Sequence, residues 1–107
     1  MVEVEVTMFK NWLDLIGVIQ DSKGDTELAK CPSCDCVGSI DFQYVGSKET
    51  RIGYIDVWCT SCYHGIHMSR VKVPDGFEML PFGCDDATLA ARIPNFTRVE
   101  PVSLVDK

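Results

Sequence analysis

The chain has 107 residues, 16 of them acidic and 10 basic, for a net charge of −6. With 46% hydrophobic and 24% charged residues, its composition is that of a folded protein and excludes wholesale disorder. A chain this short buries a limited core, so a metal staple would be useful, and its acidic balance disfavours a phosphate backbone as partner.

Residues 2–6 (VEVEV) alternate apolar with acidic, the period of a strand with one buried face. From Thr7 the period lengthens. Phe9, Trp12, Leu13, Ile16 and Ile19 recur at spacings of three and four, which predicts a helix capped by Thr7 and ended before Gly24. The alternative is a helix that starts earlier and absorbs VEVEV, since valine costs a helix only a little. The opening residues carry two glutamates and no early basic run, so no signal peptide is expected. The apolar stretch Trp12 to Ile19 is broken by Asp14 and Gly17 and is too short to span a bilayer. The expectation is a cytoplasmic protein with no membrane association, where reducing conditions favour metal ligation over disulfides.

Residues 21–30 are a polar connector. After the pair in Cys-Pro-Ser-Cys, Ile40, Phe42 and Tyr44 alternate with Ser39, Asp41 and Gln43, which predicts a strand. GSKET is a loop, and RIGYIDVW predicts a second strand running into the pair Cys-Thr-Ser-Cys. HGIHMSRVKV predicts a third, ended by a Pro74-Asp75-Gly76 turn. Further on, Asp85 or Asp86 caps a short helix over Ala87–Arg92 that Pro94 stops. Phe96 to Val102 predicts a last strand, confined to an edge by Pro101. The expected organisation is one domain over 1–107. It comprises a metal-bound core at 31–73, a helical N-terminal segment at 1–30 and an irregular C-terminal wrap at 74–107.

Cys31-x2-Cys34 and Cys59-x2-Cys62 are two identical pairs separated by 24 residues. A two-residue gap lets both thiolates of a pair reach one ion from a tight turn, and two such turns complete a tetrahedral shell. The intervening length suits two strands and a loop. Zn2+ is the expected ion, bound structurally by Cys31, Cys34, Cys59 and Cys62, although iron fits the same four-thiolate set. Residues 31–73 resemble a zinc ribbon, with knuckles similar to those of rubredoxin-like folds, and CPSC matches the common Cys-Pro-x-Cys form of a first knuckle. Asp35 and Tyr63 stand where such knuckles often carry glycine. The resemblance, with the strand readings, implies a small β-rich α+β fold: a zinc ribbon with a three-stranded antiparallel sheet, an N-terminal helix and an irregular C-terminal extension.

Cys36 and Cys84 lie outside the paired pattern and are expected to be free thiols. His64 and His67, three apart on a strand, point to opposite faces and do not share an ion. His64 is expected beside the second knuckle, donating toward a thiolate, and His67 on the sheet. Four cysteines close the metal shell, which leaves no position for a catalytic water. Neither histidine leads to a glutamate, and Lys30 rather than proline precedes Cys31, so the deaminase arrangement is absent. HExxH, phosphate-loop, dinucleotide and G-x-S-x-G patterns are missing too. The expectation is therefore not an enzyme. It is a zinc-stapled protein-interaction module that receives or masks a basic protein partner, such as a toxin. The alternative is a nucleic-acid-binding ribbon of the transcription or translation machinery, using Lys48, Arg51, Arg70 and Lys72 beside strand aromatics. A redox or metal-handling role through Cys36 and Cys84 is a third reading.

Overall fold

The fold is described from a computed structural model, which covers residues 2–99, with backbone only for 2–7. Helix α1 runs Val2–Asp21, followed by strands β1 (Ile40–Gly46), β2 (Ile52–Cys59), β3 (His64–Lys72) and β4 (Met79–Pro81). Helix α2 (Asp86–Arg92) and strand β5 (Thr97–Arg98) complete the described chain.

The strand expected over residues 2–6 is not formed. α1 absorbs those residues, and Thr7 lies inside the helix rather than at its cap. A strand there would need a partner to complete its backbone hydrogen bonds, whereas a helix satisfies its own backbone. Valine's small loss of helix propensity does not outweigh that. α1 ends as expected beside Gly24, whose N–H reaches back to Ile19 O at 2.8 Å while its φ is +91°. A side chain there would be strained by that φ, while Phe42 and Phe77 lie at ordinary contact distance.

β1, β2 and β3 pair antiparallel in chain order, as the alternation indicates. The sheet is nevertheless larger than three strands. β4 adds in parallel to β1, β5 adds in parallel to β3, and the order is β4-β1-β2-β3-β5. An antiparallel triplet leaves two unpaired edges, and the two short strands from the C-terminal segment pair with part of each, β4 with Tyr44, Val45 and Gly46 and β5 with His64 and Gly65. That segment is thus not an irregular wrap. It crosses from one edge of the sheet to the other through α2. β5 forms at the predicted place, and its expected continuation to Val102 lies outside the described residues. Pro81 ends β4, where a missing N–H is tolerated at an edge.

Register divides the sheet into two faces. On one, Ile40 lies opposite Cys59, Phe42 opposite Val57 and Tyr44 opposite Ile55, while Ile66 and Met68 continue across β3. This face receives α1 through Trp12, Leu15 and Ile19, all buried. Gln20 Nε2 donates to Tyr44 Oη at 3.0 Å. Leu15, unlike the five predicted face residues, escaped the reading, although it sits three after Trp12 and four before Ile19. Phe9, Leu13 and Ile16 flank this seam half-buried.

The opposite face carries Asp41, Gln43, Tyr54, Asp56, Trp58 and His67, and the C-terminal segment covers it. Asp85 caps α2, its Oδ1 accepting from Thr88 N at 2.8 Å, and Pro94 lies just past the end. Arg92 anchors the helix. It donates to both carboxylate oxygens of Asp41, at 3.0 and 3.2 Å, and to Phe42 O at 2.9 Å. Its guanidinium lies 5.8 Å from the Trp58 ring centroid, and Phe96 stacks on the same indole at 6.0 Å.

Gly53 of β2 lies opposite Gly46 of β1. A Cβ there would lie inside the contact distance of Val45 O and Gly46 Cα, both backbone atoms that cannot swing away. Gly53→Ala is expected to lower stability by about 3 kcal/mol, the upper end for an added methyl group in a packed core. Urea denaturation checks this, and a loss under about 1 kcal/mol would show that the two strands are not packed this tightly.

Candidate metal centre

Two turns of the same construction carry the cysteines. In the first, Asp35 N donates to Cys31 O at 2.9 Å; in the second, Tyr63 N donates to Cys59 O at 2.8 Å. In each, two backbone N–H groups point at the first sulfur. Ser33 N and Cys34 N lie 3.3 Å from Cys31 Sγ, and Ser61 N and Cys62 N lie 3.3 and 3.5 Å from Cys59 Sγ. Closing each turn needs a left-handed residue after the second cysteine. Asp35 takes φ 66° and Tyr63 φ 55°, the conformation for which glycine is favoured. Both turns thus take the left-handed backbone that glycine favours with a non-glycine residue in place. Each non-glycine residue stores roughly 1–2 kcal/mol of strain that the centre must offset.

The first turn closes on itself, with Cys31 N donating to Cys36 O and Lys30 bridging Val37. The second is the connection between β2 and β3. Thr60 joins them, donating to Ser39 O from both its backbone N–H at 2.7 Å and its hydroxyl at 3.0 Å. Trp12 Nε1 donates to Ser33 Oγ at 3.1 Å, which ties α1 to the first turn.

The result is a convergence of Cys31, Cys34, Cys59 and Cys62, whose sulfurs all lie within 4.8 Å of one another. Across the two turns, Cys31 Sγ is 3.7 Å from Cys62 Sγ and Cys34 Sγ is 3.6 Å from Cys59 Sγ. A tetrahedral ion with four thiolates at about 2.3 Å demands sulfur separations of about 3.8 Å, so the donor set fits a metal of that size. Cys31 and Cys59 are fully buried, while Cys34 and Cys62 are half-buried.

As thiols, the two buried cysteines are unequal. Burial pushes Cys31 up to about 12, against the hydrogen bonds from Cys34 and Ser33. Burial raises Cys59 too, but bonds from the Ser39 hydroxyl, from the Cys62 and Ser61 N–H groups and from Cys34 outweigh it and bring Cys59 down to about 6. One sulfur is thus prepared as an anion in a buried pocket, the charge state that a cation would match.

The remaining candidates are not members of this four-sulfur cluster. Cys36 is exposed, its thiol 3.4 Å from Ser61 Oγ, and Cys84 is half-buried beside Phe82 in a shallow cavity. His64 does not make the bond foreseen toward a thiolate. Its Nδ1 is buried without a hydrogen-bond partner among the described residues. His67 instead pairs with Asp56 on the sheet face under the C-terminal segment, Nδ1 to Oδ1 at 2.7 Å, with the Tyr54 ring 4.8 Å away. Sequence reasoning missed this pair. The only signal is their register, Asp56 opposite His67, which shows once β2 and β3 are aligned.

Of the four basic residues considered for nucleic acid, Arg51 is committed elsewhere, donating to Val73 O, Pro74 O and Phe77 O. Lys48, Arg70 and Lys72 are exposed. Of the aromatics, Trp12, Tyr44 and Trp58 are buried in the core. Among the described residues, no helix is long and apolar enough to cross a membrane. Comparison with protein-family models, curated proteins and solved structures finds no match to this chain.

Proposed function

We propose that Cys31, Cys34, Cys59 and Cys62 hold one Zn2+ as a closed structural centre, and that the domain it staples is a protein-interaction module for a basic partner. The observation that carries the reading is the convergence of four sulfurs from two matched turns. Four thiolates fill a tetrahedral shell and leave no site for an activated water, so the ion's role is to hold the fold and not to catalyse. Thiolate donors in this geometry favour zinc over harder cations.

The partner's chemistry rests on charge. Four thiolates and a divalent ion take the net charge from −6 to −8. The pairs Lys10–Asp14, Lys30–Asp35 and Arg92–Asp41 each match one base with one acid and leave that excess unchanged, while Arg51 is held by backbone carbonyls. Such a surface attracts a basic protein, speeds its encounter and repels phosphate backbones. A basic enzyme whose activity the module masks, such as a toxin, is one partner of this kind.

The test is purification of the tagged chain from its own host at low salt, with mass spectrometry of what is retained. The expected result is a stoichiometric protein of pI above about 9 that is released as salt rises. Retention of RNA or DNA instead, lost on nuclease treatment, would favour the nucleic-acid reading through Lys48, Arg70 and Lys72.

A further inference from the structure

Between α2 and the sheet lies a cavity of about 370 Å³, on the face opposite α1 and away from the cysteine centre. That volume is within the range of small-molecule sites. The residues that line it include the acidic Asp56 and Asp86, the basic Arg98 and the apolar Ile93 and Phe96, with Tyr54 beside them.

Asp56 is the informative residue. It is 7% exposed, on a central strand, where an apolar side chain would pack without the cost of burying charge. Its one side-chain hydrogen bond among the described residues holds Oδ1 against His67 Nδ1 and so fixes the carboxylate's orientation. Oδ2 is left for another donor. Burial pushes the Asp56 carboxyl above its usual range, with the His67 bond and then Arg98 opposing, so the group gains from any further donor that reaches it. Arg98 lies on edge strand β5 and forms no ion pair among the described residues.

We propose that this cavity binds a free α-amino acid with an apolar side chain. Its ammonium group meets Asp56 and Asp86, its carboxylate meets Arg98, and its side chain lies against Ile93 and Phe96. The two signs of charge select the ligand class. A simple amine would satisfy the aspartates but face Arg98, and a simple carboxylate would satisfy Arg98 but face the aspartates. A zwitterion satisfies both. This goes beyond the reading of the domain as a partner-binding module and involves neither the partner nor the metal ligands.

The test is calorimetric titration of the full, zinc-loaded chain with three probes: L-leucine, 3-methylbutylamine, which lacks the carboxylate, and 4-methylpentanoate, which lacks the amine. Leucine is expected to bind with a Kd of about 1 mM or tighter, and each truncated probe about tenfold more weakly. Arg98→Gln should remove leucine's advantage over the amine, and Asp56→Asn its advantage over the carboxylate. Because Arg98 is exposed on a two-residue edge strand, its variant keeps the test valid even if Asp56→Asn disturbs the sheet. No heat with leucine at about ten times that concentration, or equal affinity for all three probes, would overturn the proposal.

Discussion

Stripping the metal with a chelator, or replacing one ligand in Cys59→Ser, is expected to unfold the β1–β3 sheet rather than loosen one turn. A structural zinc contributes roughly 10–16 kcal/mol in small domains, as much as or more than the whole net stability of about 5–15 kcal/mol that a domain retains. The position of Cys59 explains why the loss spreads. It ends β2, lies opposite Ile40 of β1, opens the turn into β3 and is fully buried in the α1-facing core. Without an ion, the centre also keeps two strained turns at Asp35 and Tyr63 and four crowded sulfurs. An amide NMR spectrum would show collapsed dispersion in Cys59→Ser, and zinc added back to chelated wild type would restore it. Cys36→Ser, at an exposed thiol outside the cluster, should leave the spectrum dispersed. Native dispersion in Cys59→Ser would mean that the sheet stands on packing alone.

Trp12→Ala should be the most damaging single change away from the cysteines, at about 3–5 kcal/mol. Trp12 is fully buried among the α1 residues that seat the helix on the sheet. Truncation leaves a cavity between α1 and the sheet, and it also removes the indole donor to Ser33 in the first metal turn. For a domain of this size, each kcal/mol shifts the Tm by about 4–8 °C, so the melting point should fall by well over 10 °C. Trp12→Phe helps to separate the two contributions, because it keeps most of the apolar volume and loses the hydrogen bond with a little packing. Its loss should be nearer 1–2 kcal/mol, roughly one hydrogen bond and some packing. A loss below about 1 kcal/mol for the alanine variant would show that α1 is not seated through this residue.

What could be read from the residues was mostly local. The four cysteines declare themselves by spacing, and the three central strands by alternation over Ile40, Phe42 and Tyr44 and their counterparts. The Asp85 cap and the Pro74-Asp75-Gly76 turn carry their own chemistry, and Phe77 N closes that turn on Pro74 O at 3.2 Å. The errors occurred where the outcome depends on distant partners. VEVEV has the period of a strand, but a strand needs a distant partner to complete its hydrogen bonds, and α1 completes them within itself. β4 is three residues ending in proline, too short for any periodicity, and only pairing with β1 defines it. The Asp56–His67 contact spans 11 positions and exists only in the realised register of β2 and β3. Tyr63 shows a subtler limit. An aromatic side chain gives no hint of a left-handed backbone, yet the second metal turn imposes one.

These elements describe a domain organised around one point, where the β2–β3 connection, the segment before β1 and the N-terminal helix meet. Its acidic exterior, its α2-covered second face and its proposed ligand cavity are all arranged on that scaffold. The most direct test of the metal centre is elemental analysis of the purified chain combined with thiol counting before and after denaturation in chelator. The account requires one zinc per chain, two thiols that react in the native state or on brief opening (Cys36 and Cys84), and all six after denaturation. A chain that carries no metal, or whose six thiols react alike in the native state, would contradict it.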